Sequence, residues 1–125
     1  ASTMSQAAAL DALERAFTDG FKDVKHMQED YDMRRRVIYK ALNEMGLSSF
    51  EPKGAFYIFP CIKSTNRTSE QFATDLLKSQ HVAVVPGTAF GESGEGYVRC
   101  SYASSLKNIS EAMDRIKRFL ESINA

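Results

Sequence analysis

The sequence has no excess of charge, no long apolar run and only two cysteines among its 125 residues. Sixteen basic and sixteen acidic side chains cancel, which argues against a nucleic-acid partner because such domains normally carry a basic excess. No apolar run approaches the ~20 residues that span a bilayer. The N-terminus also lacks the basic start and apolar stretch of a signal peptide. Cys61 and Cys100 form no CxxC pair and are too few for a disulfide scaffold. We therefore expect one compact cytoplasmic domain without nucleic-acid or membrane contacts.

Apolar periodicity predicts two helices in the first third of the chain. Residues 5–17 are rich in alanine and leucine, and Gly20 supplies a stop. A longer helix is predicted from about Lys22 to Met45, where apolar residues recur at steps of three, four and seven. The members of that stripe are Val24, Met27, Tyr31, Ile38, Leu42 and Met45. Gly46 fits the left-handed position that follows a helix. A helix of this length is a rod of about 36 Å, long enough to connect to another body.

The remainder of the chain predicts three strands and two further helices. Residues 55–62, 81–85 and 97–102 are rich in branched and aromatic side chains and are predicted as strands. Pro60 cannot donate to a ladder, so the first strand should be at a sheet edge or bend there. Thr68 and Gln71 match a capping box, and Asn108 with Glu111 predicts the start of the last helix. The predicted fold class is α+β, a small three-stranded sheet packed against helices, with a long N-terminal connector helix.

Arg99 is the candidate binding residue that the pattern itself indicates. Strand alternation puts Val98, Cys100 and Tyr102 on one face, and Arg99 on the other between Tyr97 and Ser101. An arginine on a solvated sheet face is an equally good interpretation of this pattern. The alternative is a guanidinium fixed on a rigid strand, where it takes a carboxylate in a two-pronged pair.

No other arrangement of residues indicates catalysis or metal binding. The glycine-rich residues 87–96 match neither phosphate-binding motif and lead into a strand, which favours a flexible loop at the edge of a substrate site. His26 and His81 lack metal-ligand spacing with the cysteines, so no metal is expected. No pair of carboxylates and no nucleophile with a base stands out. The residues alone predict no catalytic apparatus.

Three blocks of sequence resemble a known family. Residues 52–57 (PKGAFY), 84–91 (VVPGTAFG) and 96–103 (GYVRCSYA) resemble, in order and spacing, the C-terminal small domain of class I/II aminotransferases. These are pyridoxal-phosphate (PLP) enzymes of fold type I. The resemblance extends over essentially the whole chain, and it implies a small domain over residues 1–125. Within it, residues 1–46 would link to a large domain and residues 47–125 would form the α+β sandwich.

The resemblance also implies roles for particular residues. The family's strand arginine, which binds the substrate α-carboxylate, falls on Arg99. Phe56 and Tyr57 match the aromatic pair after the turn and are expected to bind substrate. Residues 86–91 match a loop near the mouth of the active site.

The cofactor machinery of that family has no match in the sequence. The family's PLP lysine lies in a Ser/Thr-rich segment before a Gly-x-Arg-x-Gly run, and none of the eight lysines has that context. We therefore expect no catalytic or cofactor-binding residue here, PLP only in the full-length enzyme, and no activity from this chain by itself. The implied partners are an amino acid and a 2-oxo acid as substrates, the large domain of the same chain, and a second subunit in a homodimer.

Two alternatives stay open at this point. A carbon–sulfur lyase or another PLP enzyme acting on amino acids can carry the same arginine on the same fold. A non-catalytic α+β module that binds a ligand or a protein predicts instead a well-covered surface. The aminotransferase interpretation predicts that the first helix and the face around Arg99 are uncovered.

Overall fold

The computed structural model describes residues 2–123, so Ala1, Asn124 and Ala125, the ends of the predicted domain range, lie outside the described residues. The chain divides into two compact units, one up to Asp32 and the other from Met33 onwards. No helix among the described residues is both long enough and apolar enough to cross a bilayer.

The first unit is helical, as predicted. Helix α1 covers Thr3–Asp19, where the Ser2 side chain accepts a hydrogen bond from the Ser5 backbone N–H at the N-terminus. Gly20 ends it in the left-handed conformation, with φ of 74°, which confirms the predicted stop. Helix α2 covers Lys22–Glu44 and belongs to this unit over its first half. None of the described residues of α1 is buried within the structure.

The second unit contains the remaining elements in the predicted order. Strand β1 is Tyr57–Ile58, helix α3 is Ser69–Gln80, strand β2 is Val85–Pro86, strand β3 is Val98–Ser101 and helix α4 is Leu106–Ile123. The predicted capping box of α3 is confirmed, since Thr68 and Gln71 exchange side chain-to-backbone hydrogen bonds. Gly46 has φ of 82°, the left-handed conformation predicted after α2.

The sheet is antiparallel, with β3 in the centre between β1 and β2. Tyr57 pairs with Ser101 and Ile58 with Cys100, whereas on the other side Val85 pairs with Arg99 and Pro86 with Val98. The predicted edge position of the first strand is confirmed. The α+β class with three strands is confirmed as well.

The core of the second unit lies against one face of the sheet. Val98, Cys100 and Tyr102 are buried, which confirms the predicted alternation. The helices contribute buried apolar side chains from the end of α2, from α3 and from α4; these include Ile38, Leu42, Phe72, Leu76, Ile109, Met113, Ile116, Phe119 and Leu120. Phe72 and Phe119 meet edge to face, with ring centroids 5.3 Å apart. The opposite face of the sheet is therefore the one that carries Arg99.

Two strand predictions were wrong in extent. Residues 55–62 follow β3 as far as the Cys61–Tyr97 bridge, but the ladder is interrupted at Pro60, which has no N–H to donate. Residues 81–84 are not strand: His81 is the left-handed C-cap of α3, with φ of 55°, and pairing begins only at Val85.

Two helix predictions also need correction. Helix α4 begins at Leu106, not after Asn108, because the Ser105 hydroxyl accepts the Asn108 backbone N–H and so caps the helix three residues earlier. Of the predicted α2 stripe, Ile38 and Leu42 are buried, but Val24 and Met27 are 46% and 55% exposed. These two side chains belong to the first unit, which has too little chain to cover them.

Candidate functional site

Arg99 lies at the middle of the sheet, on the face that points away from the core. Its strand neighbours Val98 and Cys100 are buried, whereas Arg99 itself is half-buried. Strand β3 has a partner on each side, so the backbone at Arg99 is held by two ladders. A side chain mounted on such an element is aimed more sharply than one on a loop.

Tyr57 contacts Arg99 from β1. In the antiparallel register Tyr57 pairs with Ser101, and Arg99 is therefore its diagonal neighbour on the same face. The guanidinium carbon of Arg99 lies 4.3 Å from the centroid of the Tyr57 ring. This distance is well inside the range of an attractive cation–π interaction.

Phe90 contacts the same guanidinium from the edge of the sheet formed by β2, opposite to β1. It ends a short 3-10 helix, Gly87–Phe90, that follows directly after β2. The guanidinium carbon of Arg99 lies 4.6 Å from the centroid of the Phe90 ring. Phe59 meets Phe90 edge to face, with centroids 5.6 Å apart. Strand β1, strand β3 and the 3-10 helix that follows β2 thus bring Tyr57, Arg99 and Phe90 together.

The guanidinium of Arg99 has no carboxylate partner among residues 2–123. Other arginines of this unit are paired: Arg67 with Asp75 at 3.2 Å, and Arg115 with Glu111 at 2.5 Å. Within residues 2–123, the Arg99 guanidinium instead contacts two aromatic rings, which occupy its N–H donors less than a carboxylate would because a ring has no lone-pair acceptor. Its five N–H donors therefore remain able to bind a carboxylate in the two-pronged geometry.

Phe56 precedes Tyr57 at a turn that the core holds in place. Ala55 has a left-handed backbone, with φ of 56°, which is rare for a residue other than glycine. The Tyr102 hydroxyl donates to the Ala55 carbonyl at 3.0 Å, and the Tyr102 N–H donates to the Phe56 carbonyl at 2.9 Å. The Phe56 ring stays 37% exposed, with its centroid 4.6 Å from that of Tyr57.

Glu51 ties the segment before this turn to α2. Its carboxylate accepts hydrogen bonds from Lys53 and from Arg35 of α2. These two partners, Lys53 first, hold the pKa of the Glu51 carboxyl below its ordinary value. Both ends of the turn that carries Phe56 are therefore anchored.

The glycine-rich segment after β2 has more structure than the irregular loop predicted for it. It contains two 3-10 helices, Gly87–Phe90 and Glu92–Gly94. The backbones at Gly87 and Gly94 pass so closely that a β-carbon on Gly87 would lie 2.1 Å from the Gly94 carbonyl oxygen. The Ser69 hydroxyl accepts the Gly96 N–H at 2.9 Å, and so fastens the end of the segment to α3. Phe90 is thus presented by a well-braced loop.

Among the described residues, no group of His, Cys, Asp and Glu is arranged to hold a metal ion. The two cysteines are free thiols, and burial raises the pKa of Cys100 to about 12.

Comparison with known proteins identifies the family of this chain. The family model for aminotransferase class I and II matches residues 1–116. This chain belongs to the class I and II aminotransferase family. The aspartate aminotransferase of Pyrococcus abyssi is 52% identical over 120 residues, which cover 94% of this chain and 30% of that protein. The aromatic-amino-acid aminotransferase 2 of Thermococcus litoralis is 51% identical over 98 residues, which cover 78% of this chain and 25% of that protein.

A solved structure shows the same fold within a longer enzyme. The aromatic aminotransferase of Pyrococcus horikoshii superimposes with a TM-score of 0.80 and 53% sequence identity. That match covers 82% of this aminotransferase chain and 27% of the other chain. The chain thus spans about 30% of the length of curated relatives such as the Pyrococcus abyssi enzyme.

The residues around Arg99 do not form a site for PLP, the cofactor that the family implies. Within the described part of the chain, the contacts of Arg99 are aromatic rings and no lysine amine lies among them. Lys63 lies over the Tyr97 ring, and Lys53 is paired with Glu51. A cofactor that forms an imine with a lysine is not matched by this set of side chains.

The structure brings together two of the three predicted site residues and places the third beside them. Tyr57 contacts Arg99, and Phe56 contacts Tyr57. Phe90 and Phe59 were not among the predicted site residues. The sequence did contain a signal for Phe90, because this residue lies within the second sequence block (VVPGTAFG). No spacing in the sequence, however, gives the distance between Phe90 and Arg99.

Proposed function

We propose that this chain supplies the substrate-carboxylate site of a PLP-dependent aminotransferase, which transfers an amino group between an amino acid and a 2-oxo acid. The observation that carries the proposal is the guanidinium of Arg99, which is flanked by Tyr57 and Phe90 and has no carboxylate partner among residues 2–123. Membership of the family and the names of the relatives support the reaction class.

Arg99 would bind the α-carboxylate and thereby fix the orientation of the substrate. A carboxylate held by two N–H groups in one plane cannot rotate freely, so the reacting carbon is presented in one direction. Phe56 and Tyr57 would border the bound substrate with their rings. PLP would be held by residues of the full-length enzyme outside these 125, and the chain by itself would be inactive.

The kinetic test is Arg99→Ala in the full-length enzyme. We expect a higher KM for the amino acid and a fall in kcat/KM of about a hundredfold or more, because a charge-assisted pair in a closed site is lost. Arg118, an exposed arginine of α4, is the matched control, and Arg118→Ala should leave kcat/KM unchanged. Unchanged kinetics in Arg99→Ala would remove Arg99 from the site.

A second assay separates transamination from the lyase alternative. Full-length enzyme is incubated with an amino acid, with and without an acceptor 2-oxo acid. Keto acid in excess of the enzyme concentration that forms only with the acceptor supports transamination, whereas such an excess without the acceptor indicates a lyase. The expected inactivity of the chain is tested by adding PLP to the 125-residue protein. A stoichiometric visible absorbance band would contradict it.

A further inference from the structure

Within the part of the chain that the structure describes, the half-buried guanidinium of Arg99 is supported by aromatic rings rather than by a carboxylate. Its guanidinium carbon lies 4.3 Å from the Tyr57 ring and 4.6 Å from the Phe90 ring. The side chain is long and would lose much rotamer freedom if held in one place. A cation–π contact restrains the side chain without a lone-pair acceptor, whereas an ion pair would occupy the N–H groups.

We propose that Phe90 is a positioning residue for Arg99: together with Tyr57 it fixes the guanidinium while leaving the N–H donors free for the substrate carboxylate. Phe90 is not needed for the core, because its ring is 51% exposed. The proposal rests on the carboxylate role of Arg99 for its kinetic consequence. The contact between Phe90 and Arg99 is observed in the structure and does not depend on that role.

The loop that carries Phe90 is built to keep the ring in place. Phe90 lies within the loop that the close crossing of Gly87 with Gly94 closes, and the Gly87 N–H donates to the Tyr97 carbonyl at 2.8 Å. Phe59, on the other edge of the sheet, meets the Phe90 ring edge to face. The two rings on Arg99 thus come from elements on opposite sides of β3.

The contact predicts a spectroscopic signature in the 125-residue chain. Aromatic rings near a guanidinium shift the NMR signals of the arginine Hδ protons and slow the exchange of its Nε–H proton. We expect Phe90→Leu to move the Arg99 Hδ signals towards their random-coil values and to speed Nε–H exchange, whereas Phe90→Tyr retains both features. Phe50→Leu is the matched control, since Phe50 is 92% exposed in the same unit, and should change neither.

The same variants in the full-length enzyme give the kinetic arm. We expect Phe90→Leu to lower kcat/KM about 3- to 10-fold, mainly through KM, and Phe90→Tyr to restore it, as the loss of one cation–π contact implies. In Arg99→Ala, Phe90→Leu should have no further effect on kcat/KM. A purely structural role of Phe90 would lower kcat/KM equally in both backgrounds.

The outcomes separate the two proposals. If Arg99→Ala lowers kcat/KM strongly but Phe90→Leu changes neither the Arg99 signals nor KM, the positioning role is wrong and the carboxylate site stands. If Arg99→Ala has no kinetic effect while Phe90→Leu shifts the Arg99 signals, the contact is confirmed and the carboxylate site is wrong. If Phe90→Leu fails to fold, Phe90→Met, which keeps a long apolar side chain but lacks the ring, takes its place, and unshifted Arg99 signals in Phe90→Met overturn the positioning role.

Discussion

A β-carbon built on Gly94 would lie 2.0 Å from the carbonyl oxygen of Gly87. Neither glycine has a positive φ, so the requirement for glycine at both positions is steric rather than conformational. The partner atom is backbone and cannot rotate away as a side chain would. This close approach joins the two 3-10 helices of the segment that presents Phe90.

Substitution of Gly94 should therefore be costly. We expect Gly94→Ala to lower the free energy of unfolding by about 1–3 kcal/mol, the usual cost of forcing an extra carbon into a packed site. Gly54→Ala is the matched control, because a β-carbon there meets nothing within 4 Å, and should be close to neutral. Urea unfolding of the two variants measures the difference. Equal midpoints would show that the crossing relaxes without cost.

Ser69 is a second position where a small change should matter. Its buried hydroxyl accepts the Gly96 N–H at 2.9 Å. Ser69→Ala leaves that buried donor unpaired, at a cost of about 1–3 kcal/mol in the free energy of unfolding. Ser79 is the control, since its exposed hydroxyl only donates to the Asp75 carbonyl one turn back, and Ser79→Ala should change stability little. Equal stability of the two variants would contradict the prediction, and would show that a water molecule accepts the Gly96 N–H in place of the hydroxyl.

Cys100 gives a prediction about pH. Burial raises its pKa from an ordinary value of 9.0 to about 12, so the unfolded chain loses this proton first as the pH rises. The stability contributed by the protonated buried thiol is complete below pH 9.0 and is lost progressively between 9.0 and about 12. The slope for one thiol is about 1.4 kcal/mol per pH unit.

The measurement is unfolding by urea across that pH range in the chain and in Cys100→Val. Cys100→Val should not show this part of the fall in the free energy of unfolding as the pH rises. The contributions of all other titrating groups cancel in the comparison. In a Cys61→Ser background at pH 8, the remaining thiol should react with a disulfide reagent only when urea is added. Rapid reaction of Cys100 in the folded chain would contradict its burial.

The exposed apolar side chains of the first unit predict that the chain binds the dye ANS. Leu10, Leu13 and Phe17 recur at helical spacing on α1 and are 59%, 52% and 75% exposed. The 125-residue chain should therefore bind ANS, and Phe17→Glu should lower the ANS fluorescence. Glu14→Gln, a polar change on the same helix, should leave the ANS fluorescence unchanged. Absence of ANS fluorescence in the unsubstituted chain would favour a self-sufficient module with a covered surface.

Much of the fold followed from local chemistry. The left-handed glycines after α1 and α2, the capping box at Thr68 and the alternation along β3 each depend on residues within a few positions of one another. The same kind of evidence failed where two local patterns competed. Ser105 and Asn108 are both good caps by residue type, and in the structure the Ser105 hydroxyl accepts the Asn108 N–H and caps α4.

By itself the sequence determined the class of fold, the order of its elements and the face of β3 on which Arg99 lies, because a strand's period of two is local. Its three sequence blocks also indicated the family. Only the tertiary structure decided what surrounds the guanidinium. Tyr57 and Phe90 are separated from Arg99 by 42 and 9 positions along the chain, and strand register and a glycine crossing bring them to it. Such distances depend on packing between elements, which no local pattern specifies.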